Sequence, residues 1–126
     1  MRAMIMTAIA PLRDNPSPLV MADLPDPASA AGELLIRVGV CGVCHTELDE
    51  IEGRTPPPDL PMIPGHQVVG RVEALGKDAE GLRIGDRVGV AWIFSACGHC
   101  EFCQRSEENL CARFVATGRD AQWRLR

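Results

Sequence analysis

Leu34-Leu35-Ile36-Arg37-Val38-Gly39-Val40 is the stretch whose period points to the fold class. Leu34, Ile36, Val38 and Val40 alternate with Leu35, Arg37 and Gly39, close to the two-residue period of a half-buried β-strand. Residues 68–75, with Val69-Gly70-Arg71-Val72-Glu73, form a second such stretch. Residues 87–93 form a third, with Val88, Val90 and Trp92 on one face, and residues 19–22 a weaker fourth. The opening Met1-Arg2-Ala3-Met4-Ile5-Met6-Thr7-Ala8-Ile9-Ala10 reads as a first strand. It has an Arg and an apolar run, as a secretory leader would, but Pro11, Arg13 and Asp14 end the run too soon.

The punctuation between these stretches is strong. Pro25-Asp26-Pro27 and Gly32 precede the strand at Leu34, and Gly81 and Gly85-Asp86 flank another turn. Thr55-Pro56-Pro57-Pro58-Asp59-Leu60-Pro61 has too many prolines for a helix or central strand, so it reads as an extended loop leading to Pro64-Gly65-His66. Residues 44–52 suit a short helix with Thr46 near its start. No repeat or low-complexity tract is present. Short strands, frequent turns and little helix predict a mainly β, barrel-like domain with short helices. With aromatics at only 4%, the expected core is Val, Ile, Leu and Ala.

The 126 residues are one domain's worth of chain. A net charge of -4 offers no electrostatic footprint for nucleic acid. No apolar run approaches the roughly 20 residues of a membrane span. A soluble, cytoplasmic protein is expected. Six Cys could form a disulfide framework in a secreted chain, but their tight spacing in a cytosolic one reads as metal binding.

Four of the six lie in Cys97-Gly98-His99-Cys100-Glu101-Phe102-Cys103, followed after seven residues by Cys111. Four thiolates suit tetrahedral zinc at about 2.3 Å and leave no open position, which defines a structural site. Such a site contributes folding energy to a loop with little core of its own. Ferredoxins also begin C-x2-C-x2-C, but their fourth Cys comes sooner and is followed by Pro, whereas Ala112 follows here. His99, between two well-spaced Cys, is expected to be a solvated spacer. A second constellation is Gly42-Val43-Cys44-His45-Thr46-Glu47, with His66 placed 22 residues after Cys44. By itself it leaves two readings open. Cys44 and His66 could share a metal, or they could be a core thiol and an ordinary polar residue.

Three segments in this order, Gly-Val-Cys-His-Thr at 42–46, Pro-Gly-His at 64–66 and the four-Cys lobe at 97–111, resemble the zinc-dependent medium-chain alcohol dehydrogenases. Gly85-Asp86-Arg87-Val88 fits as well, and the resemblance runs from about residue 3 to about residue 120. It implies a chaperonin-10-like (GroES-like) β-barrel for residues 1–120. It implies that Cys44 and His66 are two ligands of a catalytic zinc, and that Cys97, Cys100, Cys103 and Cys111 hold a structural zinc. It further implies that Thr46 hydrogen-bonds the substrate alcohol and starts a proton relay. Glu47, where the family usually has Asp, would orient the zinc-bound histidine. His45 would lie near the cofactor phosphates. The implied reaction is oxidation of a small alcohol to an aldehyde or ketone, with NAD(P) taking the hydride.

Three residues depart from the common family pattern. Gln67 replaces a frequent Glu. Asp49 stands where several members have a relay histidine. Cys41 is extra and is expected to be a buried thiol. The family's third catalytic ligand falls beyond this chain, and no Gly-x-Gly dinucleotide fingerprint is present, so the α/β Rossmann half is expected to be absent and the chain inactive alone. A non-enzymatic zinc-binding domain is the alternative description. Without its other half, an exposed apolar patch and self-association are expected. Residues 121–126 form an aberrant tail. Codons CAA TGG CGG TTA CGC for Gln122-Trp123-Arg124-Leu125-Arg126 become Asn-Gly-Gly-Tyr on removal of the first base. That matches the family's usual continuation, so for this one choice of codons a one-base insertion would account for the tail, with a natural stop or a cloning boundary as the alternatives.

Overall fold

The computed structural model describes residues 1–117; the expectation for residues 121–126 lies outside them. Strands dominate. β1 (Arg2–Met6) pairs antiparallel with β2 (Leu19–Asp23). A second sheet has the order β3 (Leu34–Gly42), β4 (Gln67–Leu75), β5 (Arg87–Val90), all antiparallel. A third pairs β6 (Ile93–Ser95) with β7 (Val115–Ala116). Short helices α1 (His45–Ile51) and α2 (Glu101–Gln104) and a 3-10 turn at Glu108–Leu110 complete the described residues. The mainly β expectation holds, and among the described residues no sheet closes on itself.

The central strand β4 shows the period most clearly. Val68, Gly70 and Val72 are buried while Gln67, Val69, Arg71 and Glu73 face outward. Branched valines suit a pleated surface covered on one side. β3 departs from its expected alternation. Burial stops at Ile36, and Val38 and Val40 are 51% and 60% exposed. The pairing with β4 shifts between Val38 and Val40, and β3 is an edge strand, so a bulge and a missing neighbour override the pattern.

The third predicted strand is two. β5 ends at Val90, Ala91 and Trp92 lie outside any strand, and β6 begins at Ile93. The break is fastened from the far side of the four-Cys segment. Buried Thr117 donates its backbone N–H to the Trp92 carbonyl at 2.8 Å and its hydroxyl to the Ala91 carbonyl at 2.7 Å.

The core also differs from expectation. Buried Ile5, Ile51, Val68 and Val72 follow it, but among the described residues no Leu or Ala is buried to the same degree, and Met6 and Met62 take the centre with Ile51. Unbranched methionine fills irregular gaps that few aromatics are present to fill. Burying each such side chain stabilises by roughly 1.5–3 kcal/mol. Met6 and Met62 also exchange backbone hydrogen bonds of 2.8 and 3.0 Å, pinning the end of the proline-rich loop to β1. Ile51, the last residue of α1, lies in the same cluster. The core thereby anchors α1 and the approach to His66, the two segments that meet at the site below.

Candidate functional site

The helix start and the end of the proline-rich loop bring Cys44, Glu47 and His66 together, with their ligand atoms within 4.8 Å of one another. Cys44 is the N-cap of α1 and its sulfur accepts the Thr46 backbone N–H at 3.4 Å. Glu47 reaches back to the Cys44 N–H at 2.6 Å, closing a capping box in which a thiol replaces the usual hydroxyl. The carboxylate therefore has its position set by the helix end. Its other oxygen, Oε1, stands 3.0 Å from His66 Nδ1 at ion-pair distance, and no hydrogen-bond partner is aligned on it. Both side chains are buried. His66 Nε2 faces Cys44 Sγ at 3.5 Å, close to the roughly 3.6 Å edge of a tetrahedron with zinc–sulfur and zinc–nitrogen bonds of usual length. One imidazole nitrogen thus faces a thiol and the other a buried carboxylate. This donor set fits a zinc ion held by Cys44 and His66, with Glu47 behind the ring.

Two neighbours shape the same spot. Gly65 has φ +116°, and a side chain there would place its Cβ 2.8 Å from Cys41 Sγ, so Gly before His66 answers both backbone and space. The Trp92 ring stands edge-on to His66, with centroids 4.7 Å apart and planes at 70°. Trp92 reads in the sequence only as a strand-face residue. Its place at the site depends on the Thr117 hydrogen bonds, a contact between distant segments that no local pattern announces.

Cys41 is exposed, not the buried thiol expected, because it lies near the uncovered end of edge strand β3. Partial desolvation, then the Glu47 charge, raise its pKa above the ordinary 9.0. It is not among the groups within 4.8 Å around His66. Thr46 lies half-buried in the first turn of α1, and His45 is exposed with Nε2 3.4 Å from Asp49 Oδ1. Asp49 is also paired with Arg54.

The second cluster is complete. Cys97, Cys100, Cys103 and Cys111 bring four sulfurs within 4.8 Å of one another. Cys100–Cys103 and Cys97–Cys103 separations are 3.5 and 3.8 Å, against a roughly 3.8 Å edge for zinc in four thiolates. Gly98, at φ +75°, makes the turn between the first two. Backbone N–H groups point at the sulfurs, from Cys100 to Cys97 and from Arg113 to Cys111, both at 3.4 Å. The His99 N–H is the largest cause holding the Cys97 thiol down at about 5, and the Cys97 and Arg113 N–H groups lower that of Cys111. Burial pushes Cys103 up to about 12. Thiolates wrapped by N–H donors, on a loop whose α2 helix buries no residue, fit a zinc ion that supplies the missing core.

His99 corrects its expectation. It is exposed, but its Nδ1 donates to the Cys97 carbonyl at 2.6 Å and its Nε2 accepts from Arg113. A residue in the middle of C-x2-C looks like a spacer until its partner, 14 residues on, is known.

The sequence pattern of the alcohol dehydrogenase GroES-like domain matches residues 30–125, and the chain belongs to this family. It is 46% identical over 97 residues to an alcohol dehydrogenase of Geobacillus stearothermophilus, covering 76% of this chain and 29% of that enzyme. Among solved structures it resembles an NAD-dependent alcohol dehydrogenase, with TM-score 0.78, 33% identity, and 94% of this chain against 34% of the other. A cobalt- and zinc-bound thermostable alcohol dehydrogenase from Pyrobaculum aerophilum superposes with TM-score 0.80 at 28% identity, over 97% of this chain and 36% of its own. The chain therefore spans about a third of the length of the relatives it matches. Among the described residues no helix is long and apolar enough to cross a membrane.

Proposed function

We propose that these residues are the metal-holding part of a zinc-dependent, NAD(P)-linked alcohol dehydrogenase of the cytoplasm, acting on a small alcohol or aldehyde. The observation that carries this is the geometry at His66, with Nε2 turned to Cys44 and Nδ1 to a buried carboxylate. Zinc, when bound there, acts as a Lewis acid that lowers the pKa of a substrate hydroxyl. Cys44 and His66 hold the ion. Glu47 stands behind the ring at ion-pair distance, a charge that favours the proton on Nδ1 and leaves the Nε2 lone pair for the ion. Thr46, two residues after Cys44 in the first turn of α1, is the hydroxyl that takes the substrate proton outward. Trp92 bounds the site beside His66 and excludes water from that side. His45, on the exposed face of α1, lies toward the cofactor phosphates. Free cysteines throughout the described residues suit a reducing compartment.

The four-Cys cluster holds a structural zinc. The 126 residues alone are not active, because Cys44 and His66 provide two firm ligands and no Gly-x-Gly turn is present to seat a dinucleotide. A second reading, a zinc-binding domain without catalysis, is favoured by one observation: the four-thiol cluster is fully assembled while the His66 cluster has three candidate donors, one of them already facing the ring.

Zinc per chain, measured by elemental analysis after dialysis without chelator, tests both. About one ion per chain, removed only by harsh chelation and lost in Cys111→Ser, is expected. A second ion would show that Cys44 and His66 recruit a further ligand, with Glu47 or Cys41 the candidates. A folded chain without zinc would overturn the reading. NAD(P)-dependent alcohol oxidation by these residues alone would overturn the inactivity.

A further inference from the structure

We infer that His99 and Arg113 form a clasp that keeps the four-thiolate lobe shut over its metal. The inference rests on the zinc reading of residues 97–111. Cys97, Cys100 and Cys103 lie on one tight knuckle, but Cys111 arrives after a seven-residue excursion and must be held against it. Arg113 does this from two points. Its backbone N–H donates to Cys111 Sγ at 3.4 Å, and its guanidinium donates to His99 Nε2. The same imidazole donates from Nδ1 to the Cys97 carbonyl at 2.6 Å. The path Cys97–His99–Arg113–Cys111 therefore joins the first ligand to the last outside the metal sphere. These partners fix the ring as the neutral tautomer with its proton on Nδ1.

Charge points the same way. Four thiolates around a divalent ion leave a net charge of about -2, and a cation held at the rim offsets it. Arg105, the neighbouring cation, is spent on Glu101 and Glu107. Among the described residues no carboxylate lies within ion-pair reach of Arg113. Both clasp residues are exposed, so they serve no packing role that would explain the contact. They are positioning residues: neither supplies a ligand atom.

The clasp is tested by the rate of zinc transfer from the full chain to excess 4-(2-pyridylazo)resorcinol. His99→Ala, Arg113→Ala, the double variant and Arg113→Lys are compared with the parent chain, with far-UV circular dichroism and the guanidinium midpoint taken on the same samples. Each alanine variant should release zinc at least about 10-fold faster, in the usual range for losing an outer hydrogen-bond partner of a metal site. The double variant should be no faster than the faster single, because either loss opens the same path. Spectra and midpoint should stay unchanged. Arg113→Lys, which keeps a cation and an N–H donor, should release zinc more slowly than Arg113→Ala, whereas a silent His99→Ala would reduce Arg113 to a point charge and overturn the clasp. Release that speeds up only in step with a falling midpoint would overturn it too. A parent chain without zinc would remove both the lobe reading and the clasp.

Discussion

At the scale of single residues, the site depends on atoms that the backbone leaves little freedom to move. Gly65 combines φ +116° with a Cys41 sulfur 2.8 Å from any added Cβ. Gly65→Ala should cost roughly 1–3 kcal/mol of stability, read as a shift in the urea midpoint. Adding Cys41→Ala should recover the steric part and leave the backbone part, so the two substitutions should not be additive. A neutral Gly65→Ala would remove the case for a strained approach to His66. Cys41 itself yields a pH prediction. Its thiol is raised above 9.0, by desolvation first and by Glu47 second. Below that value it is protonated and slow, and its maleimide labelling should reach half its plateau at a higher pH than an ordinary exposed cysteine, which does so at 9.0. Glu47→Gln should speed labelling at pH 8 modestly, because it removes only the lesser cause. Labelling of Cys41 at neutral pH as fast as a free thiol would contradict the shift. The residue types that meet at His66 and in the four-Cys cluster were legible from spacing and resemblance. The environment of Cys41 was not, because exposure on an edge strand depends on what does or does not lie beside β3.

At the scale of elements, the four-Cys segment and the sheets draw stability from different sources. β4 buries Val68 and Val72 and is paired on both sides, whereas α2 buries nothing and its N-cap Cys100 makes no side-chain cap hydrogen bond. Chelating the metal should therefore melt residues 97–111 while the β3-β4-β5 sheet persists. Hydrogen exchange should show lobe amides losing protection by a factor of about 100 or more, as expected when local structure depends on metal, with β4 amides little changed. Loss of protection across both together would show that the lobe is part of the main folding unit. The gathering of the four sulfurs was readable because four Cys at that spacing have few other uses. Its closure by Arg113 was not, since hydrogen bonds between side chains 14 residues apart leave no periodic trace. The strand at residues 87–93 failed for a related reason. Val88, Val90 and Trp92 keep the two-residue period straight through a break at Ala91 and Trp92, and that break is made by Thr117 from outside the segment.

At the scale of the whole molecule, the exposed valines of edge strand β3 are where association in solution is expected to begin. Val40 lies opposite Val69 in the register, and with Val38 at the bulge the three are 60%, 37% and 51% exposed. β3 is also an edge, with the backbone groups that do not pair with β4 left to solvent among the described residues. Branched apolar side chains beside an unpaired edge are the usual template for pairing with another chain. The row Arg37, Arg71 and Arg87, aligned across the sheet by the register, opposes this by charge, although Arg37 is offset by Glu73. Attraction is therefore expected to be salt-dependent. Sedimentation of the 126-residue chain should show a mass average that rises with concentration and rises further in high salt, where the arginine row is screened. Val40→Lys places a charge in the middle of the patch without touching buried Val68 or Val72, and should return the chain to monomer at the same concentration. A parent chain that stays monomeric in both salts would show that the exposed valines do not suffice. Association that survives Val40→Lys would move the contact to another surface, with exposed Phe94 and Val115 on the β6-β7 sheet the next place to test.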